Sequence, residues 1–193
     1  MSVKPPATDQ FIAFHGARRI ALGAMPAVVQ ATQAALRADP LASVLVFDAR
    51  TGEPVEIDPC CGTPAPAGKA AGPGRPKLGV VAREVTLLPR HWDWLNAQPG
   101  GASVALRKLV ELARRDNRAK DQERKAQEAC YRFMSAIAGD WVGFEAAARA
   151  LFAADRLQLQ GVVAAWPADV REHLLQLAEP AFERAWDEGK HHA

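Results

Sequence analysis

The chain is poor in the residues that most often announce a chemistry. It holds three cysteines and a single tyrosine in 193 residues. Cys60 and Cys61 are adjacent and Cys130 stands alone, so the CxxC spacing of a zinc site or a redox motif is missing and the thiols read as inert. No apolar run approaches the roughly 20 residues needed to cross a bilayer, and no charged-then-apolar leader opens the chain. These absences predict a cytoplasmic protein with no membrane partner. There is no GxGxxG, no GxxxxGK[ST], no HExxH and no GxSxG. Gly72-Pro73-Gly74 lacks the following helix that a phosphate loop requires. The five histidines, His15, His91, His173, His191 and His192, are scattered. His91, beside Trp92, reads as a helix-surface residue rather than an acid or base. The His191-His192 pair has no third spaced ligand to make a metal site. Nothing sets a nucleophile beside a base. The expectation is therefore no catalytic residue, no metal and no cofactor, with an enzyme the least favoured class.

What is present is apolar residue in quantity, 49% of the chain, and charge unevenly spread. Residues 1–74 are balanced. Residues 75–125 carry twelve Lys and Arg against six Asp and Glu, a net +6, whereas residues 126–193 are net −4. A basic excess centred in the chain is the electrostatic footprint of nucleic-acid binding, and equally that of a solvated helix face.

The periodicities predict an α+β fold: an N-terminal ββαββ unit over residues 10–58, a Pro/Gly linker over 59–76, a strand-helix-helix element over 77–115 and a C-terminal helical bundle over 116–188. In the first unit Phe11–Phe14 and Arg18–Leu22 form a hairpin about Gly16. Pro26 to Leu36 carries an apolar helical face and stops before Asp39-Pro40, because proline disfavours an α conformation in the residue before it. Ser43–Phe47 and Val55–Asp58 read as strands. The linker, PCCGTPAPAGKAAGPGRP, is too poor in apolar surface to be ordered by burial.

The central element is the most self-consistent stretch. Leu78–Leu88 has strand composition. Pro89 suits a first helical turn, with Trp92 and Leu95 as its buried stripe. Pro99-Gly100-Gly101 stops that helix. Ser103 is the expected N-cap of the next, in which Leu106, Leu109, Val110 and Ala113 follow i, i+3, i+4, i+7. The charged stretch DNRAKDQERKAQEA then reads as an exposed helix or hinge. Beyond Cys130 a long helix ends near Ala138, and shorter ones start near Asp140, Asp155 and Pro167, with Asp140, Asp155 and Asp169 recurring at intervals of 15 and 14 residues. Their expected core is Phe133, Ile137, Trp141, Phe144, Leu151, Phe152, Trp166, Leu174, Leu177 and Phe182.

Leu88-Pro89-Arg90-His91-Trp92, Gly101-Ala102-Ser103 and Leu106-Arg107-Lys108-Leu109 resemble the ribbon-helix-helix family of bacterial DNA-binding proteins. That resemblance implies a homodimer whose paired strands form an antiparallel ribbon in the major groove of double-stranded DNA. Outward strand residues would read bases, and the N-terminus of the second helix would hold a phosphate. It implies DNA contacts from Arg75, Lys77, Arg83, Arg90, Gly101, Ser103 and Arg107. The outward positions would be Arg83, Val85 and Leu87, of which only Arg83 is a good base reader, and Glu84 on the opposite face repels phosphate. The alternative is an interaction or scaffold module, free of nucleic acid, in which strand 79–88 pairs with the N-terminal sheet.

Three further runs carry a resemblance to a whole family: Val44-Leu45-Val46-Phe47-Asp48 with Thr51-Gly52; VTLLPRHWDWLNAQPGGAS; and Tyr131-Arg132-Phe133-Met134-Ser135 with Ala138-Gly139-Asp140. They are similar to the uncharacterised bacterial domain-of-unknown-function family DUF2239 over nearly the full chain. This implies a shared architecture and supplies no activity.

Overall fold

The computed structural model describes residues 10–57 and 83–190. The chain divides into two compact units, one built from residues up to 64 and from 119 onward, the other from residues 65–118. The linker expected over 59–76 lies outside the described residues, as do residues 78–82 of the expected strand.

The first unit begins with β1 (Phe11–His15) and β2 (Arg18–Gly23), an antiparallel hairpin, followed by α1 (Met25–Ala38) and β3 (Val44–Asp48). The sheet order is β2-β1-β3, all antiparallel, with β1 in the middle. The hairpin has an irregularity after Ala13, where Phe14 pairs with Arg19 and the register skips Ile20. Of the expected fourth strand, Val55–Asp58, Asp58 lies outside the described residues and Val55–Ile57 form no strand; the bridge nearby joins Phe47 to the preceding Pro54. The Val55 N–H donates to the Val46 carbonyl at 2.8 Å and the Asp48 N–H to the Glu53 carbonyl at 2.9 Å. Pro54 has no N–H of its own to extend the ladder.

β1 reads FIAFH because both of its faces are covered. Ile12, Ala13 and Phe14 are fully buried. Ala13 joins Val28 of α1 and Val46 of β3 on one side of the sheet, while Ile12, Phe14 and Phe47 belong to the core shared with the C-terminal helices. Alternation along a strand sends neighbours to opposite faces, so a continuous apolar run fits a strand sandwiched between helical layers.

Those helices are α4 (Arg118–Ala138), α5 (Phe144–Phe152), α6 (Arg156–Val163) and α7 (Ala168–Lys190). The long helix does end at Ala138, and its charged first half is largely exposed. Its buried residues, Ala126, Ala129, Cys130, Phe133, Met134 and Ala138, repeat with helical period. Phe133 is the hub of the core. Its ring lies 5.0 Å from Phe47, 5.5 Å from Phe14 and 4.8 Å from His173. Such aromatic pairs contribute about 1 kcal/mol each beyond their area burial.

Asp155 caps α6 as expected, its Oδ1 accepting the Gln158 N–H at 2.9 Å. Asp140 starts no helix. It lies in the turn after α4, and α5 begins at Phe144 behind Gly143, whose φ of 92° favours glycine. Of the expected core, Phe152 departs most, with 53% of its surface exposed and its ring against Tyr131 at 5.5 Å. Gly52 lets the loop after β3 touch α4: a Cβ there would collide with the Ala129 carbonyl oxygen. Arg132 of α4 donates to the Thr51 carbonyl at 3.1 Å in the same loop.

Candidate nucleic-acid interface

In the second unit, residues 83–88 run extended and, among the described residues, belong to no strand. Leu88, with φ −66° and ψ 149°, leads into α2 (Pro89–Asn96), where Pro89 takes the first turn. Of the expected stripe only Leu95 is buried, whereas Trp92 and Trp94 are exposed. The chain reverses through Gly100, with φ 89°, where a side chain would press on Val104.

The next helix, α3, spans Gly101–Asp116 and has no side-chain cap. Ser103 is therefore in its third position and not its N-cap, because the Gly-Gly pair lets the helix start three residues earlier, with Gly100 at the N-cap. The Gly101 N–H is engaged by the Gln98 carbonyl at 2.9 Å. Arg107 folds back over the first turn, Nε donating to the Ser103 carbonyl at 3.1 Å and Nη2 reaching Ser103 Oγ at 3.4 Å. That places one guanidinium at the positive end of the helix dipole, a combination that favours an anion.

Gly101, Ser103 and Arg107 thus share the first two turns of α3, while Arg83 and Arg90 are exposed on the extended segment and on α2. Arg75 and Lys77 lie outside the described residues. On the polar side of α3, Glu111 pairs with Arg114 at 2.8 Å, so its charge is balanced within the helix.

The signal that helical periodicity alone does not carry is the apolar surface of this unit. Val85, Leu88, Trp92, Trp94, Leu109, Val110 and Leu112 are all exposed, and the buried residues of its helices are Leu95 and Ala105. A scatter of single exposed hydrophobics is ordinary, but this many on one short element is what an interaction surface looks like.

The first unit offers other features. A groove of about 540 Å³ between α6 and α7 is lined by Arg156, Gln160, Glu172, Leu175, Gln176, Glu179 and Phe182. Its Arg156 and Glu179 are paired at 3.0 Å, and it sets no nucleophile beside a base. Among the described residues no group of three His, Cys, Asp or Glu side chains gathers to hold a metal. No described helix is long and apolar enough to cross a membrane. Burial pushes the Cys130 thiol up to about 12, so it stays un-ionised at neutral pH. His173 is 3% exposed, and burial lowers its pKa to about 4. Its place in the apolar run HLLQL was the one sign of that burial.

A family model described as an uncharacterised protein conserved in bacteria (DUF2239) matches residues 10–178. No curated protein and no solved structure matches the chain.

Proposed function

The chain belongs to that bacterial family, and on this premise we propose that it is a DNA-binding regulator acting through a dimeric ribbon-helix-helix-like element over residues 77–115. The observation that carries the reading is the unfinished state of this element in a single chain. An extended segment, residues 83–88, that has no strand partner among the described residues leads into two helices joined by a Gly-Gly turn, and apolar side chains stand exposed on the segment and on both helices. A second copy completes both deficiencies at once, pairing backbone with backbone and covering the apolar face. The cations of the element supply phosphate contacts: Arg83 and Arg90 near the ribbon, Arg107 and Ser103 at the α3 N-terminus, and Arg75 and Lys77 just before the strand. They are the dominant affinity term for a duplex.

The competing reading pairs strand 79–88 with the N-terminal sheet and removes nucleic acid. Against pairing at the β3 side of that sheet, the outer edge of β3 already engages Val55 and Glu53 through Val46 and Asp48.

The test is fluorescence anisotropy of the full chain on mixed duplex DNA across a salt series. Wild type binds with a slope set by its phosphate contacts. Arg83→Ala weakens binding and relaxes sequence preference, while Lys77→Ala and Arg90→Ala each lower the slope by about one unit on all sequences. A folded protein that binds no duplex at low salt overturns the reading and leaves the interaction module.

A further inference from the structure

Where the sheet lies on the helices, a histidine fills a place suited to a hydrocarbon. The His173 ring, on α7, stands edge to face with Phe133 of α4 at 4.8 Å and 85°, and 6.2 Å from Phe14 of β1. Its Nε2 is buried with no hydrogen-bond partner. An orphaned buried polar atom costs about 1–3 kcal/mol, so a side chain kept neutral in this cage is under constant tension with water.

The same place is the polar seam between β2 and α7. Asp169 Oδ2 accepts the Arg19 backbone N–H at 2.9 Å, and Glu172 Oε2 meets Arg19 Nη2 at 3.5 Å. The groups facing the imidazole can be taken element by element. β1 contributes Phe14, followed in the chain by half-buried His15, and β2 contributes the Arg19 cation. α4 contributes Phe133 and, one turn away, the un-ionised Cys130 thiol. α7 itself contributes Glu172, Asp169 and the Gln176 side chain, whose hydrogen bond favours the protonated ring. Both carboxylates are engaged with Arg19, so neither is aimed at Nε2. A proton arriving at Nε2, which has no hydrogen-bond partner, brings a charge and a new N–H donor into an apolar wall beside a guanidinium of the same sign, and burial outweighs the opposing pull of Gln176 and Glu172.

We propose that His173 is an acid-sensitive latch: neutral, it closes the seam between β2 and α7, and protonated it leaves the aromatic cage, releasing Arg19 from Asp169 and Glu172 and loosening the sheet from α7.

The pH window follows from the direction of the shift. The folded value, about 4, lies below the ordinary histidine value of 6.5. The opened state therefore binds the proton more tightly, and closure weakens as pH falls from 6.5 toward 4. In that window the seam should lose protection while the α5–α6 pair, which has no part in the latch, should not.

The experiment is hydrogen exchange on the full chain at neutral pH and near pH 4.5, corrected for intrinsic amide chemistry. Linkage between the two values gives a loss of protection of roughly fifty-fold at the Phe14 and Arg19 amides relative to those of Leu151 and Leu159. In His173→Phe, which keeps an aromatic ring and cannot titrate, that relative loss disappears. Equal loss at seam and α5–α6 amides, or an unchanged loss in His173→Phe, overturns the latch. If His173→Phe does not fold, the wild-type imidazole Cε1–H shift decides. A titration midpoint near 4, in step with seam opening, supports the latch, and one at or above about 6 overturns it.

Discussion

The Arg19 backbone N–H on β2 donates to Asp169 Oδ2, in the first turn of α7, at 2.9 Å across 150 residues of chain. The donor sits at the irregular point of the hairpin, beside the skipped Ile20, where strand pairing leaves an N–H to be satisfied elsewhere. The acceptor, at the positive end of a helix, is doubly favourable there. One carboxylate thus joins the N-terminal hairpin to α7.

Asp169→Ala should therefore destabilise the protein by about 1.5–3 kcal/mol, the usual cost of losing a charged partner to a part-buried N–H. Asp169→Asn, which still offers an oxygen, should recover part of it. Urea denaturation followed by circular dichroism measures both. Equal stability in all three proteins would mean that this bond does not hold the seam.

Two glycines with similar φ should respond differently to alanine. Gly16, at φ 57°, has open space around it, so Gly16→Ala costs only the left-handed conformation, about 1 kcal/mol. Gly52, at φ 63°, faces the Ala129 carbonyl oxygen of α4, and its added methyl has backbone to displace. Gly52→Ala should cost several times as much, on the order of 3 kcal/mol or more, and should lower the melting temperature well below that of Gly16→Ala. Similar melting temperatures would show that the loop does not seat on the helix.

Cys130 is fully buried, its Sγ 3.6 Å from the Leu174 carbonyl. Its thiol should escape iodoacetamide under native conditions and label at a rate that tracks global unfolding, read by peptide mapping. Because the folded value is raised from 9.0 to about 12, the unfolded thiol ionises first. This group's contribution to stability is full below pH 9 and lost as pH rises toward 12. Rapid native labelling would contradict its burial.

Leu109 and Val110 of α3 test the dimer separately from the DNA contacts, since neither carries charge and both are exposed in one chain. The full chain should sediment as a dimer, and Leu109→Glu should sediment as a folded monomer with sharply weakened DNA binding although every cation remains. In a monomeric protein the same substitution would be nearly silent, as surface changes usually are within about 0.5 kcal/mol. A wild-type monomer at all concentrations would remove the dimeric ribbon.

Much of this architecture was legible residue by residue. The α+β class, the hairpin about Gly16, the helix opened by Pro26, the break at Pro99-Gly100-Gly101, the helix end at Ala138 and the cap at Asp155 are local events. Each is set by dihedral preference or by a side chain satisfying its neighbour's backbone. Ser103 shows the limit of even local reading. A serine before an apolar repeat is a good N-cap, but two glycines ahead of it let the helix begin earlier. Val55–Asp58 has a strand's alternation, yet its described residues, Val55–Ile57, form no strand beyond the bridge at Pro54.

Burial was a different kind of question. Phe152 and Phe133 are equally apolar, and helical spacing placed both in a core. One is half exposed and the other is the hub, because only Phe133 faces Phe14 and Phe47 across the sheet. His173 looked like one of five scattered histidines until α7 lay against β1 and α4. By itself the sequence determined the helices, the hairpin and β3 and most of their ends, since those choices rest on interactions within a few residues. It did not determine whether the extended segments after Pro54 and before Pro89 would find a strand partner. Only the tertiary structure decided which faces are covered, which polar atom is orphaned and which apolar side chains stand exposed. Those depend on contacts between residues 12–47 and 129–182, brought together by burial of apolar surface, a non-directional force that no local pattern records.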